Sequence, residues 1–300
     1  MVAEQTSGLI APPLNVIGVL YHPHKPDSAP LAQEMREWLS ARGCRVWVAS
    51  SWSEEEVAQA MPGSDLVVTL GGDGSLLRAA RMAAPHRALI LGVNLGRLGF
   101  LAECSPDNWA GPLTQVLAGD YWIEERMMLS AETHRGDQVI GRHLALNDVV
   151  ISRGTLARAI QLATYVDGEY LTTYYADGLI VATATGSTAY ALAVGGPILP
   201  PELRSILIIP IAPHLSMDRA VVLSQGSKVE GQVRTDHQAT LTVDGQYEFD
   251  LSNGDRVLIS ASSLVGRFVR VQPRNYFYHA LLSRLVPSES PQCNDRNTGE

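Results

Sequence analysis

Four short runs in the first hundred residues are apolar at nearly every position: 16–21 (VIGVLY), 46–49 (VWVA), 66–70 (LVVTL) and 89–93 (LILGV). A strand with one face in water alternates polar and apolar side chains. A strand that is apolar on both faces has to be covered on both, which is the habit of parallel sheets. The intervening segments supply the cover. Residues 31–42 carry apolar side chains near helical spacing and end at Gly43, and residues 75–83 read as a second helix. Strands alternating with helices predict an α/β domain built on a parallel sheet. One more helix is expected over 113–117. Near Gly119 the pattern changes. From Ile123 onward short alternating runs are punctuated by Gly136-Asp137, Asp167-Gly168, Asp244-Gly245 and Asn253-Gly254-Asp255. Asp-Gly and Asn-Gly steps suit tight hairpins, so the second domain is expected to be all-β and sandwich-like. The expected organisation is an α/β domain over 1–118 and an all-β domain over 119–272. A helix over 273–288 returns to the first domain, and a polar tail over 289–300 is read as disordered.

Composition narrows the partners. The chain has 300 residues, 46% of them hydrophobic, which is ample for a core without covalent staples. With 23 basic and 31 acidic residues the net charge is −8, so neither nucleic acid nor an anionic membrane is attracted globally. The longest apolar run, 206–212, is broken by Pro210 and falls far short of the ~20 residues that span a bilayer. The N-terminus has no secretory pattern. Cys44, Cys104 and Cys293 are odd in number and none forms a C-x-x-C pair, as expected of a chain from a reducing cytoplasm.

The third apolar run leads straight into Gly71-Gly72-Asp73-Gly74 and then a helix. Ligands of α/β domains bind beyond the carboxyl ends of strands. Glycines at Gly71, Gly72 and Gly74 let main chain approach a ligand, and the helix start offers N–H groups to a phosphate. The P-loop pattern and the dinucleotide pattern G-x-G-x-x-G are both absent. Asp73 would repel phosphate, so it needs a reason. It can hold a divalent cation that bridges to phosphate, accept a proton from an attacking hydroxyl, or simply cap the helix.

Two further places concentrate polar groups. Residues 183–197, TATGSTAYALAVGGP, crowd Ser187, Thr188 and Tyr190 around Gly186, just after Asp177-Gly178. Hydroxyls at this density suit ribose or phosphate oxygens, and Tyr190 can pack on a base; an ordinary helix start at Ser187 or Thr188 is the plainer alternative. Asn147-Asp148 interrupts the apolar run LALNDVVIS. Such a pair either binds the vicinal hydroxyls of a ribose or marks a bulge or turn. His22-x-His24 lacks companion ligands and reads as a loop pair rather than a metal site.

Together these segments resemble the NAD kinase family, the ATP-NAD and polyphosphate/ATP-NAD kinases. The resemblance rests on GGDG at 71–74, NLGRLGFL at 94–101, ND at 147–148 and DGLIVATATGSTAYALAVGGPI at 177–198. PIAPHLS at 210–216, VDGQ at 243–246 and NYFYHALLSRL at 275–285 complete it. GGDG alone also occurs in diacylglycerol and sphingosine kinases and in phosphofructokinases; the block at 177–198 is far more specific. The resemblance implies transfer of the γ-phosphoryl of ATP, or of polyphosphate, to the 2′-hydroxyl of the adenosine ribose of NAD, with a divalent cation, usually magnesium. It places Asp73 as proton acceptor and Gly74 and Arg78 at the phosphates. It places Phe100 beside the adenine pocket, and Asn147, Asp148, Asp177 and the run Thr188, Ala189, Tyr190, Ala191, Leu192 and Ala193 on NAD. Arg158, Tyr175, Ala212 and Gln246 fall at ligand-contacting positions. The family forms homo-oligomers, dimers or tetramers, with sites shared between subunits. The chain departs from the family at several positions: Asp148 is usually Glu, Ala184 usually Pro, Tyr175 often basic, and Met217-Asp218-Arg219 differs from the usual sequence before the next strand. The alternatives are a lipid kinase sharing GGDG and a non-catalytic NAD(P)-binding sensor.

Overall fold

The computed structural model describes residues 14–96, 99–155, 158–214, 216–274 and 276–285. The first part of the chain alternates as its pattern requires. Strand β1 (Val16–Tyr21), helix α1 (Ser28–Ser40), β2 (Arg45–Ser50), α2 (Glu54–Ala60), β3 (Leu66–Gly71), α3 (Asp73–Ala83), β4 (Leu89–Asn94) and α4 (Ala110–Leu117) follow in order. The strands are parallel and lie in the order β2-β1-β3-β4. Every residue of β3 and β4 is buried, because helices cover both faces. Leu76, Leu77, Ala79, Ala80 and Ala83 of α3 pack on one face with Val67 and Ile90. Ala32, Met35 and Leu39 of α1 pack on the other with Ile17, Val68 and Leu91.

Two local features differ from the sequence reading. Helix α2 was not expected: its one buried side chain is Val57, too few apolar positions to show a period. Its first turn is Glu54, Glu55 and Glu56, which suits the positive end of a helix. Helix α3 begins at Asp73 rather than Ser75, with Gly72 as its N-cap, so the glycine loop is itself the first turn.

The rest of the chain is antiparallel. It runs β5 (Trp122–Arg135), β6 (Gln138–Ala145), β7 (Asp148–Arg153), β8 (Ile160–Val166), β9 (Glu169–Ala176) and β10 (Gly178–Thr183). A 3-10 turn (Gly186–Thr188) and a single helical turn α5 (Tyr190–Ala193) follow. Then come β11 (Ser205–Ile211), β12 (Val221–Ser224), β13 (Lys228–Arg234), β14 (Ala239–Val243), β15 (Tyr247–Leu251), β16 (Arg256–Arg270) and α6 (Tyr276–Leu285). One sheet has six strands in the order β12-β11-β10-β7-β14-β15. It packs across a core of Leu129, Ile151, Leu162, Leu179, Ile208 and Leu241 onto β5, β6, β8, β9, β13 and β16.

Strand β16 joins the two halves. Along its length it pairs antiparallel with β13 and β5, and at Phe268 it lies parallel to β4 beside Ile90. Phe268 is therefore in the core of the α/β layer. Residues 256–270, read from sequence as part of the second domain, knit a continuous ten-stranded sheet through both. Among the described residues no helix is long and apolar enough to cross a membrane. Cys44 and Cys104 are free thiols. Cys293, the tail at 289–300 and residues 286–288 of the expected terminal helix lie outside the described residues.

Candidate active site

Strand order locates the first cavity. After β1 the chain turns to β2 on one side and then returns to β3 on the other, so a crevice opens between the carboxyl ends of β1 and β3. The loop after β1 brings His22 and Lys25, the loop after β2 brings Trp52, and the passage from β3 into α3 brings Gly72, Gly74, Ser75 and Arg78. With Gly245 and Gln246 they line a cavity of about 490 Å³. Lys25 and Arg78 make it locally positive on an acidic chain. Lys25 Nζ donates to the Leu95 carbonyl at 3.2 Å, and Arg78 pairs with Glu54 at 3.2 Å. Partial burial, then the charges of His24 and Lys25, push His22 below the usual imidazole range.

Asp73 does not cap its own helix: Gly72 holds the N-cap position, with no side-chain cap bond. The carboxylate turns to the loop after β4. Phe100 N–H donates to Oδ2 at 3.0 Å and Leu101 N–H to Oδ1 at 3.2 Å. A Cβ on Gly99 would lie 1.8 Å from Oδ1, so this grip requires glycine there. The glycine after β3 answers to packing as well, since a Cβ on Gly71 would lie 2.1 Å from Ser75 Oγ.

The second cavity, about 350 Å³, is lined by Asn147, Asp148, Ala189, Tyr190, Asp244 and Gly245 among others. Its architecture depends on the hairpin between β14 and β15. Asp244 and Gly245 take φ of 50° and 63°, the turn that the Asp-Gly pair predicts. The Asp244 carboxylate accepts N–H bonds from Leu146 (3.1 Å), Asn147 (2.7 Å) and Asp148 (3.2 Å) and pairs with Arg81 of α3. Gln246 donates from Nε2 to the Gly74 carbonyl at 2.6 Å and accepts from Arg81. One turn thus ties the glycine loop to the Asn-Asp step, and both cavities meet at Gly245.

Two side chains in this cavity bear on a ligand. Asn147 Oδ1 is buried and finds no hydrogen-bond partner among the described residues. Asp148 is only 4% exposed, and burial together with Asp244 pushes its carboxyl up to about 7. Tyr190, 45% exposed, forms one wall.

Other expected residues fall elsewhere. The hydroxyls of Thr183, Ser187 and Thr188 each donate to a main-chain carbonyl. Thr183 donates to Leu146 O (2.6 Å), Ser187 to Ala184 O (2.7 Å) and Thr188 to Thr185 O (3.1 Å). The turn lies so close to the Asn147 carbonyl that a Cβ on Gly186 would approach it to 2.1 Å. Ala191 is buried in the outer core, Leu192 is half-buried and Ala193 exposed. Phe100 is buried with its ring 6.1 Å from Phe277 of α6. Asp177 pairs with Arg153 at 3.0 Å, Tyr175 and Arg158 are exposed, and Ala212 takes φ 45°. Arg158, Tyr175, Asp177 and Ala212 line neither cavity. His22, Lys25, Trp52, Gly99 and Arg81 were not expected as site residues. Only the strand order brings them in.

Comparison with known proteins decides the family. Residues 17–121 match the model of the ATP-NAD kinase N-terminal domain, and residues 146–271 that of the ATP-NAD kinase C-terminal domain. The chain belongs to the NAD kinase family. It is 43% identical over 272 residues to the NAD kinase of Chloroflexus aggregans, covering 91% of this chain and 99% of that one. It is 42% identical over 270 residues to that of Dehalococcoides mccartyi, covering 90% and 95%. The structure of yeast NADH kinase complexed with NADH superimposes with a TM-score of 0.81 at 27% identity, over 93% of this chain and 89% of that one. An NAD kinase from Archaeoglobus fulgidus in complex with ATP gives 0.72 at 28%, over 89% and 97%.

In this NAD kinase family member a buried ionic network backs both site loops. Arg270 donates to the Leu101 carbonyl (2.8 Å), behind the grip on Asp73, and bonds Glu124 (2.9 Å) and Glu103 (3.2 Å). Arg126 bonds Glu124 (3.0 Å), Tyr276 of α6 (2.6 Å) and Thr185 Oγ1 (3.2 Å) in the turn after β10. Burial raises the Glu124 carboxyl, but Arg126 and Arg270 outweigh it and hold it below the usual range.

Proposed function

We propose that this chain transfers the γ-phosphoryl of ATP to the 2′-hydroxyl of the adenosine ribose of NAD, giving NADP and ADP, with Asp73 as proton acceptor. The observation that carries the assignment is the meeting of two cavities at Gly245, one cationic and floored by glycines, the other holding an orphaned acceptor and a buried acid. Donor phosphates lie against the start of α3, where N–H groups and the charges of Lys25 and Arg78 oppose the growing negative charge. The acceptor ribose lies at Asn147, whose buried Oδ1 is unpartnered among the described residues, and at the buried Asp148 carboxyl beside it. The Phe100 and Leu101 N–H groups hold the Asp73 carboxylate in place, and the 2′-hydroxyl proton passes to it. Placement of that acid contributes more than its basicity.

Among the described residues no three His, Cys, Asp or Glu side chains cluster to hold a metal. Magnesium takes only one or two carboxylates from a protein, and it is expected to enter with the phosphates of ATP. By the family resemblance, the chain is expected to form a homo-oligomer in which Arg158, Tyr175, Asp177 and Ala212 face a neighbouring subunit's dinucleotide. Free Cys44 and Cys104 suit a cytoplasmic enzyme. The test is NADP formation from NAD and Mg-ATP, with diacylglycerol as the rival acceptor. Asp73→Asn is expected to lower kcat by roughly 10²–10⁴-fold. A variant with near-full turnover refutes the proton-acceptor role, and dinucleotide binding without turnover by the wild type refutes the kinase.

A further inference from the structure

We propose that Trp52 is the platform for the donor's base and selects a nucleoside triphosphate over free polyphosphate. The inference rests on the reading that donor phosphates lie against the glycine loop. The cavity there has two unlike ends. Gly72, Gly74, Ser75, Lys25 and Arg78 form a polar end sufficient for phosphates alone. Trp52 is the one indole that lines the cavity, and it is 52% exposed although it is among the largest side chains of the fold. It belongs to none of the hydrophobic clusters formed by the described residues.

The indole is nonetheless held in place. Its backbone N–H donates to Ser50 Oγ at 3.2 Å, fixing the turn that leaves β2. Its ring meets His24 nearly perpendicularly with centroids 4.9 Å apart, and His22 lies 6.0 Å away. The Arg78 guanidinium carbon stands 5.2 Å from its centroid. Trp52 thus abuts the residue that faces the phosphates, while half its surface remains open. A base joined to those phosphates through a ribose can cover that surface.

Stacking on an aromatic face tolerates any base, because each has a π face. Among the described lining residues Gln246 is the only side-chain amide, and its Oε1 and Nε2 are already engaged with Arg81 and Gly74. The donor site is therefore selective for the presence of a base more than for its identity: ATP and GTP are both accepted, and tripolyphosphate is held by the polar end alone.

The test is steady-state kinetics at saturating NAD, with tripolyphosphate as a competitive inhibitor against ATP. Trp52→Ala is expected to raise the KM of ATP and of GTP by roughly tenfold or more. The Ki of tripolyphosphate and the KM of NAD stay within about twofold in the same variant by this reasoning. Trp52→Phe restores most of the affinity, whereas Trp52→Leu, apolar without a π face, behaves as alanine. An unchanged ATP KM overturns the proposal. So does a parallel weakening of ATP and tripolyphosphate, which would assign Trp52 to bracing Arg78 instead. A wild-type enzyme making no NADP from NAD and Mg-ATP refutes the kinase reading itself, a separate outcome.

Discussion

Replacing Asp148 by Asn tests the electrostatics of the acceptor cavity. The carboxyl is driven up from 3.8 to about 7 by burial and by the Asp244 carboxylate beside it. A folded-state value above the unfolded one means that the native protein holds this proton while the unfolded chain has released it. Asp148 therefore contributes no penalty below about pH 4, progressively destabilises the fold as pH rises through 4–7, and imposes a constant penalty above. At about 1.4 kcal/mol per unit the ceiling is about 4 kcal/mol, and relaxation around a real buried acid brings it to roughly 2 kcal/mol. Asn keeps the size and polarity without the ionisation. The expected result is an Asp148→Asn protein that gains about 1 kcal/mol over wild type at pH 4.5 and roughly 2 kcal/mol at pH 8, a few degrees in Tm. NAD affinity falls in the same variant, because the ribose loses an acceptor. Urea or thermal melts across pH 4.5–8.5 measure the difference. A stability gap that does not change with pH, or that shrinks toward alkaline pH, would refute the assignment of a raised carboxyl.

Three further outcomes follow from the geometry. Gly99→Ala places a methyl group where Asp73 Oδ1 lies, so kcat should drop roughly 10²-fold or more while circular dichroism stays native. Gln246→Ala breaks the bonds to Gly74 and Arg81, so the KM values of both ATP and NAD should rise together in initial-rate assays; a change in one alone would mean the hairpin does not couple the cavities. Glu124→Gln leaves Arg126 and Arg270 buried with their shared partner neutralised, and denaturant melts should show about 3–5 kcal/mol of lost stability.

The legible parts of the site are those whose chemistry is local. Gly71 to Gly74, Asn147-Asp148 and Asp244-Gly245 each announce themselves by residue types that a buried strand or an ordinary loop does not tolerate. What they do with one another was not legible. Asp244 could be read as a turn residue, but not as the acceptor of three N–H groups nearly a hundred residues away. The hydroxyls of Ser187 and Thr188 read as ligand donors from their density, and their hydrogen bonds to Ala184 and Thr185 carbonyls within the turn were not legible. Asp73 was recognisable as an anomaly, whereas its grip by Phe100 and Leu101 depends on where the loop after β4 lies.

Hydrophobic period and turn chemistry act over a few residues, so the amino-acid order alone settles which segments become covered strands and where hairpins bend. The crevice between β1 and β3, the passage of β16 into the α/β layer, and the approach of Trp52, Lys25 and Arg78 to one cavity depend on how strands are ordered. That order is set by burying the whole apolar surface at once, a property of the assembled chain that no short segment carries.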